Sequence, residues 1–233
     1  MNVEQLLAAV DKERLEIRRD AFGYGELLRA ESADYIRNVM SMYTERAYDP
    51  IMILGHGRSG KDTCGKFFSR VARVRYSGST SAVVAPIIAL RLRAEVDFAF
   101  EHRHLSRDYW FEACNCLRIG HPELIPTMGL ANSDMLIGLR NHSELEWSLK
   151  NIPFQACLWI QKDVPADPTM EYDFYQYKAF ARKYNHNFIE IENTGNYYKL
   201  YKQLLHVAEV LDLPFNDEML MENLDDSRQA GVA

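Results

Sequence analysis

Ile51-Met52-Ile53-Leu54 runs directly into Gly55-His56-Gly57-Arg58-Ser59-Gly60-Lys61, and Asp62-Thr63 follow. The first four residues are apolar, β-branched at 51 and 53, and read as a short buried parallel strand. The next seven fit G-x-x-x-x-G-K. Glycines let consecutive backbone N–H groups curl around phosphate oxygens, and a helix beginning at Lys61 adds its N-terminal dipole. The residues expected to cradle phosphates are therefore Gly55, Gly57, Arg58, Ser59, Gly60, Lys61, Asp62 and Thr63. Lys61 is placed to reach the β- and γ-phosphates of a nucleoside triphosphate as a mobile charge. A glycine-rich turn without a ligand is the plain alternative, and the strand before and helix after argue against it.

The position after the lysine normally carries Ser or Thr to ligate Mg²⁺; this chain has Asp62 there. A carboxylate suits Mg²⁺ equally, directly or through water, which leaves Thr63 for a phosphate.

Outward from the loop, apolar spacing predicts helices over 3–19 and 25–47, with Gly23 and Gly25 as punctuation between them. After the loop, a helix is expected over 61–71 and a second short strand over 74–76. Helices are expected over 86–100 and 107–117, a strand over 135–139, and a helix over 142–149 with Ser143 as its cap. Strands over 154–160 and 188–191 alternate with helices over 171–184 and 197–211. Strands alternating with helices predict an α/β fold with a parallel sheet covered on both faces. Three segments are expected: a helical extension (1–49), the domain built on the loop (50–215) and a polar, acidic tail (216–233).

Hydrophobic residues make up 47% of the 233 and charged residues 26%, the balance of an ordinary globular protein. The net charge of -6 argues against a broadly basic nucleic-acid coat, though Arg91, Arg93, Arg103, Arg107 and Arg118 are available for one local groove. The first nineteen residues lack a signal-peptide core, and the apolar run 82–90 is short and holds Pro86, so no membrane partner is expected. Four cysteines at 64, 114, 116 and 157 suggest free thiols in a reducing cytoplasm. Cys114 and Cys116 stand two apart on an expected helix, so with His102 and His104 they make a poor zinc set.

Arg58-Ser59-Gly60-Lys61-Asp62-Thr63 resembles the loop of phage deoxynucleoside monophosphate kinases, which carry G-K-D-T. Leu136-Ile137-Gly138-Leu139-Arg140-Asn141, with Glu144 and Glu146 beyond, looks like that family's strand-plus-arginine segment. Phe188–Asn193 with Gly195 resembles its last strand and the turn near the adenine. The resemblance covers roughly 50–212. It implies a P-loop nucleotide kinase-like fold, ATP with Mg²⁺ as donor, and phosphoryl transfer governed by positioning and charge neutralisation. If the chain is phage-encoded, it would act in the infected host cell.

Three departures bear on the acceptor: the long extension before the loop, Gly138 where relatives often place aspartate, and few arginines over 162–173. They turn the expectation toward a similar branch of kinases that phosphorylate 5-hydroxymethyluracil within DNA. That acceptor is a base alcohol presented outside the stack. Tyr109-Trp110-Phe111 and the segment 172–177 would then offer stacking surfaces; their plain role is packing. A free deoxynucleotide acceptor is the alternative, and an ATP-binding regulatory protein without transfer is a third.

Arg140, at a strand end, is expected to contact phosphate or acceptor, with an ion pair to Glu144 as the alternative. The catalytic set expected from sequence is Lys61, Arg58, Arg140 and, as candidate base, Asp108. Ser77–Ser81 follows the second expected strand, where an acceptor would lie. Asp62 and Asp134 are the candidate Mg²⁺ carboxylates. The plainer reading of Asp108 is a helix N-terminal charge, and Asp134 could simply precede its strand.

Overall fold

The computed structural model describes residues 1–42, 48–214 and 216. Among these, β1 (Ile51–Leu54), β2 (Met135–Ile137), β3 (Ala156–Gln161) and β4 (Phe188–Glu192) form one sheet in the order β2–β1–β3–β4, every pairing parallel. All four residues of β1 are fully buried. At roughly 1.5–3 kcal/mol for each buried aliphatic side chain, such a strand belongs at the centre of a sheet covered on both faces.

The helices, in chain order, are α1 (Val3–Arg19), α2 (Ala21–Glu31), α3 (Ala33–Ser41), α4 (Lys61–Val71), α5 (Thr80–Leu92), α6 (Val96–Glu101), α7 (Arg107–Arg118), α8 (Leu124–Ala131), α9 (His142–Asn151), α10 (Phe174–Lys183) and α11 (Tyr197–Val210). A 3₁₀ segment, His102–Ser106, joins α6 to α7. The period-two alternation of β1 sorts them. Ile51 and Ile53 meet Phe67 and Phe68 of α4 and Leu200 and Leu204 of α11. Met52 and Leu54 meet Leu145 and Leu149 of α9 and Tyr177 and Ala181 of α10. The fold is thus α/β, a parallel sheet flanked by helices, as the sequence suggested.

A third core gathers Leu6 and Val10 of α1, Tyr24 and Leu28 of α2, Val84 and Ile88 of α5, and Tyr109 and Leu117 of α7. The stretch expected as a separate extension therefore shares its apolar interior with helices that follow the loop.

Several boundaries differ from expectation. The helix expected over 25–47 breaks at Ser32 into α2 and α3, and residues 43–47 lie outside those described. The helix expected over 86–100 starts instead at Thr80 and ends at Arg93, whose left-handed φ of 54° precedes α6. Pro86 sits inside α5, where burial of Val83, Val84, Ile87 and Ile88 outweighs its missing donor. Residues 74–76 form no strand: Arg75 accepts one backbone bond from Asp134 (2.9 Å), and no ladder follows. The cap of α9 is Asn141, not Ser143. α8 and the 3₁₀ segment had no counterpart in the sequence pattern. Of the expected tail, only Asn216 is among the described residues.

Gly23 and Gly25 do not separate helices; both lie inside α2. Gly25 sits where α2 meets α7, and a Cβ there would stand 2.2 Å from the Cys116 carbonyl oxygen. Arg29, one turn on, donates to the Leu117 carbonyl at 2.6 Å and locks the crossing. In an isolated helix Ala beats Gly by about 1 kcal/mol. Here Gly25→Ala should instead destabilise the protein by about 1–3 kcal/mol, because backbone rather than a movable side chain blocks the Cβ. Urea unfolding measures this, and a stabilised variant would contradict the packing described.

Candidate active site

The glycine loop leaves β1 at its C-terminal end and opens α4, as the sequence suggested. Gly60 caps α4 with φ of 99°, a conformation that admits little but glycine, and a Cβ there would strike Asn193 Nδ2 at 2.5 Å. That same Asn193 amide donates to the Ser59 carbonyl at 2.8 Å, so the loop is held from the turn after β4. Arg58 also has positive φ (63°).

Lys61 folds back over the loop and donates to the carbonyls of Gly55 (2.7 Å) and His56 (2.6 Å). Burial, then the nearby Arg140 charge, lowers its ammonium from the usual 10.5 to about 8. Asp62 accepts from the Tyr76 hydroxyl at 2.9 Å. Among the described residues no group of three or more His, Cys, Asp or Glu side chains could hold a metal. Mg²⁺ beside nucleotide phosphates uses one or two carboxylates together with phosphate and water oxygens, so Asp62 fits that role without such a cluster.

Two cavities open on this loop. One, of about 290 Å³, runs from Arg58, Lys61 and Asp62 past Thr63 to Asn193, Gly195 and Tyr197. The other, of about 500 Å³, shares Arg58, Lys61 and Asp62 and extends beneath Ser79–Ser81 and Gly138 to α7 and α9. The polar turn after residue 76 thus reaches the site, with Thr80 donating to the Gly138 carbonyl at 3.1 Å.

Arginines converge on the larger cavity from three elements. Arg103 comes from the 3₁₀ segment, Arg107 and Arg118 from α7, and Arg140 from just past β2. Arg107 and Arg140 both pair with one carboxylate, Asp167, at 2.8 and 2.9 Å. Burial alone would raise the Asp167 carboxyl. The bond from the Thr169 hydroxyl, the Arg140 charge, the Thr169 N–H and the Arg107 charge more than offset it and hold it below the usual range. Asp167 N–H points at His56 Nδ1 (3.3 Å), and a Cβ on Gly57 would stand 3.0 Å from Asp167 Oδ2. The segment 162–173 therefore lies against the glycine loop.

Deeper in, Glu144 of α9 faces Arg118 of α7, with Oε1 and Nε 3.0 Å apart. Burial pushes the Glu144 carboxyl up to about 7, against the opposing pull of Arg118.

Of the residues expected from sequence, Arg58, Lys61, Asp62 and Arg140 meet at the cavities. Asp108 does not: Arg14 of α1 pairs with it, outweighing slight burial and keeping its carboxyl below the usual range. An exposed, ion-paired carboxylate outside both cavities is no base for the acceptor. Asp134 also fails as a metal ligand. It precedes β2 at the end of the sheet opposite the loop, where Arg75 pairs with it at 2.6 Å. Nor do the five arginines form one groove: Arg91 pairs with Glu13 and Glu31, and Arg118 is buried. The aromatic runs divide similarly. Tyr109, Tyr172 and Tyr177 are core; Trp110, also part of the core, and the half-buried Phe111 line the larger cavity.

Asp167 was missed. Its signal was an acid between Pro165 and Pro168 in the loop after a strand's C-terminal end, where ligands collect in such sheets.

Because Lys61 is lowered by burial, its charge costs stability at neutral pH. Between about 8 and 10.5 the unfolded chain holds a proton the folded protein has lost, so this group's contribution to stability rises with pH across that window. Lys61→Met should raise the melting temperature of the unliganded protein at pH 7 and flatten that rise. A lower unliganded melting temperature at pH 7 would contradict the cause assigned here.

Comparison with family models, with curated proteins and with solved structures finds no match for this chain.

Proposed function

We propose that this protein is a P-loop kinase that transfers the terminal phosphoryl group of ATP to a nucleotide. One observation carries the proposal: the two cavities meet at Arg58, Lys61 and Asp62. A donor in the smaller cavity and an acceptor in the larger one would face each other across the lysine, the arrangement that in-line transfer requires. On the donor side, Tyr197 offers a ring for the base, and the backbone of residues 58–61 surrounds the phosphates. On ATP binding Lys61 exchanges its carbonyl partners for phosphate oxygens. Asp62 would hold Mg²⁺, which supplies charge neutralisation at the β- and γ-phosphates when bound.

The arginines bear on the acceptor. A scarcity of arginine over 162–173 pointed to a base alcohol in DNA, but Arg103, Arg107 and Arg140 reach the acceptor cavity from other elements. That arrangement favours an acceptor carrying its own phosphate, foremost a free deoxynucleoside monophosphate. The second reading, the hydroxymethyl group of 5-hydroxymethyluracil in DNA, is favoured by the cavity's rim. There His104 and Arg107 are exposed beside Leu105, which is 45% exposed, a surface along which a strand could lie.

Incubation with γ-labelled ATP, Mg²⁺ and each pool of acceptor decides between them. Label in deoxynucleoside diphosphate supports the first acceptor; label in hydroxymethyluracil DNA, and none in matched thymine DNA, supports the second. Lys61→Ala should lower either transfer by about a hundredfold or more. ATP bound without transfer to either pool would overturn the kinase proposal in favour of a regulatory nucleotide-binding protein.

A further inference from the structure

The segment between α4 and α5 delivers one side chain to the glycine loop that the transfer step leaves without a role. Residues 74–76 are tied down beside β2. The Arg75 carbonyl accepts from the Asp134 N–H, and the Arg75 N–H donates to the Asp134 carboxylate, both at 2.9 Å. The Arg75 guanidinium pairs with that carboxylate at 2.6 Å. From this anchor the Tyr76 ring lies over α4 at Gly65. A Cβ on Gly65 would stand 3.2 Å from the ring atoms Cε2 and Cζ, and 2.7 Å from Ile137 Cδ1. Glycine inside a helix costs stability relative to alanine, and here it leaves room for a ring.

Asp62 stands three residues before Gly65, on the same face of α4. The Tyr76 hydroxyl reaches it and donates to Oδ1 at 2.9 Å. The second oxygen, Oδ2, accepts from none of the described residues, on an exposed side chain that lines both cavities. Burial, and then the Asp62 charge, raises the Tyr76 phenol above its usual range, so it keeps its proton and acts as a donor. The helix dipole alone would account for an acid in the first turn of α4, but not for a phenol brought to it across a glycine. A carboxylate that ligates a metal is commonly held by a hydrogen bond of its own, which fixes its orientation before the metal arrives.

We propose that Tyr76 is a positioning residue for Mg²⁺: its hydroxyl holds Asp62 Oδ1 and leaves Oδ2 for the metal or for a water bound to it. This rests on the role given to Asp62 in the kinase proposal above. Asp134, which is no metal ligand, then serves the site at a distance by anchoring the residue next to Tyr76.

Mn²⁺ stands in for Mg²⁺ at such oxygen sites. It is titrated into the equimolar complex of protein with β,γ-imido-ATP, and free Mn²⁺ is read by electron paramagnetic resonance, for the native protein, Tyr76→Phe and Asp62→Asn. Affinity for the analogue in EDTA and the melting temperature are measured alongside. Tyr76→Phe keeps the ring over Gly65 and should weaken Mn²⁺ binding by about tenfold or more, with metal-free analogue affinity unchanged. Asp62→Asn should weaken it at least as much. A hydroxyl that merely braced the turn would lower the melting temperature and leave Mn²⁺ affinity alone. Unchanged Mn²⁺ affinity in Tyr76→Phe beside a loss in Asp62→Asn overturns this inference and leaves the kinase proposal standing. Unchanged affinity in both variants removes Asp62 from the metal and the inference with it. No binding of the analogue to the native protein overturns both the inference and the kinase proposal.

Discussion

Arg107 and Arg140 can stand together beside the half-retracted Lys61 because Asp167 stands between the two arginines. Three cations around one small space would repel strongly where water is scarce, and the Arg140 charge adds to burial, the larger cause, in lowering Lys61. Asp167 supplies a negative charge between the two arginines. A carboxylate bridging two arginines occupies the kind of position a phosphate would take. The loop that carries it rests on His56 and close to Gly57, so arranging the arginines and covering the glycine loop are one structural act.

The local parts of this site were legible in the sequence because local physics decides them. A short apolar strand, two glycines at fixed spacing and a lysine at the start of a helix need no distant partner to adopt their shape. Asp134 shows where the same style of reasoning stopped short. An acid that precedes a strand lies at its N-terminal end, whereas a loop that follows a parallel neighbour lies at the C-terminal end. Strand polarity alone, applied to 135–137 and 51–54, separates Asp134 from the glycine loop.

Other features were decided by packing between segments far apart in sequence. Gly25 looks like a helix breaker until α7 is placed against it. Residues 74–76 have a strand's composition but make a single backbone–backbone bond to the segment before β2, with the Arg75 side chain committed to Asp134. Arg118 and Glu144 are separated by α8 and β2, and nothing in the spacing of either reveals that α7 and α9 bring them together. The arginines were counted in the sequence as a possible surface groove; pairing commits Arg91 to Glu13 and Glu31, burial takes Arg118, and Arg103 and Arg107 line the larger cavity.

The amino-terminal helices acquire a role from the same pairings. Arg14 of α1 holds Asp108, Glu13 of α1 holds Arg91, and the Tyr24 hydroxyl of α2 meets that of Tyr109 at 3.1 Å. Each tie leads to α5 or α7, and α7 carries Arg107, Trp110 and Arg118. One wall of the larger cavity thus belongs to the core that α1 and α2 complete, while the loop and Glu144 belong to elements packed on the sheet. Arg107–Asp167 and Arg118–Glu144 are charged links across that divide. Bracing of α7 by the first two helices fixes where those links can form. The amino-terminal helices thus complete the core behind one wall of the larger cavity and are not an appendage.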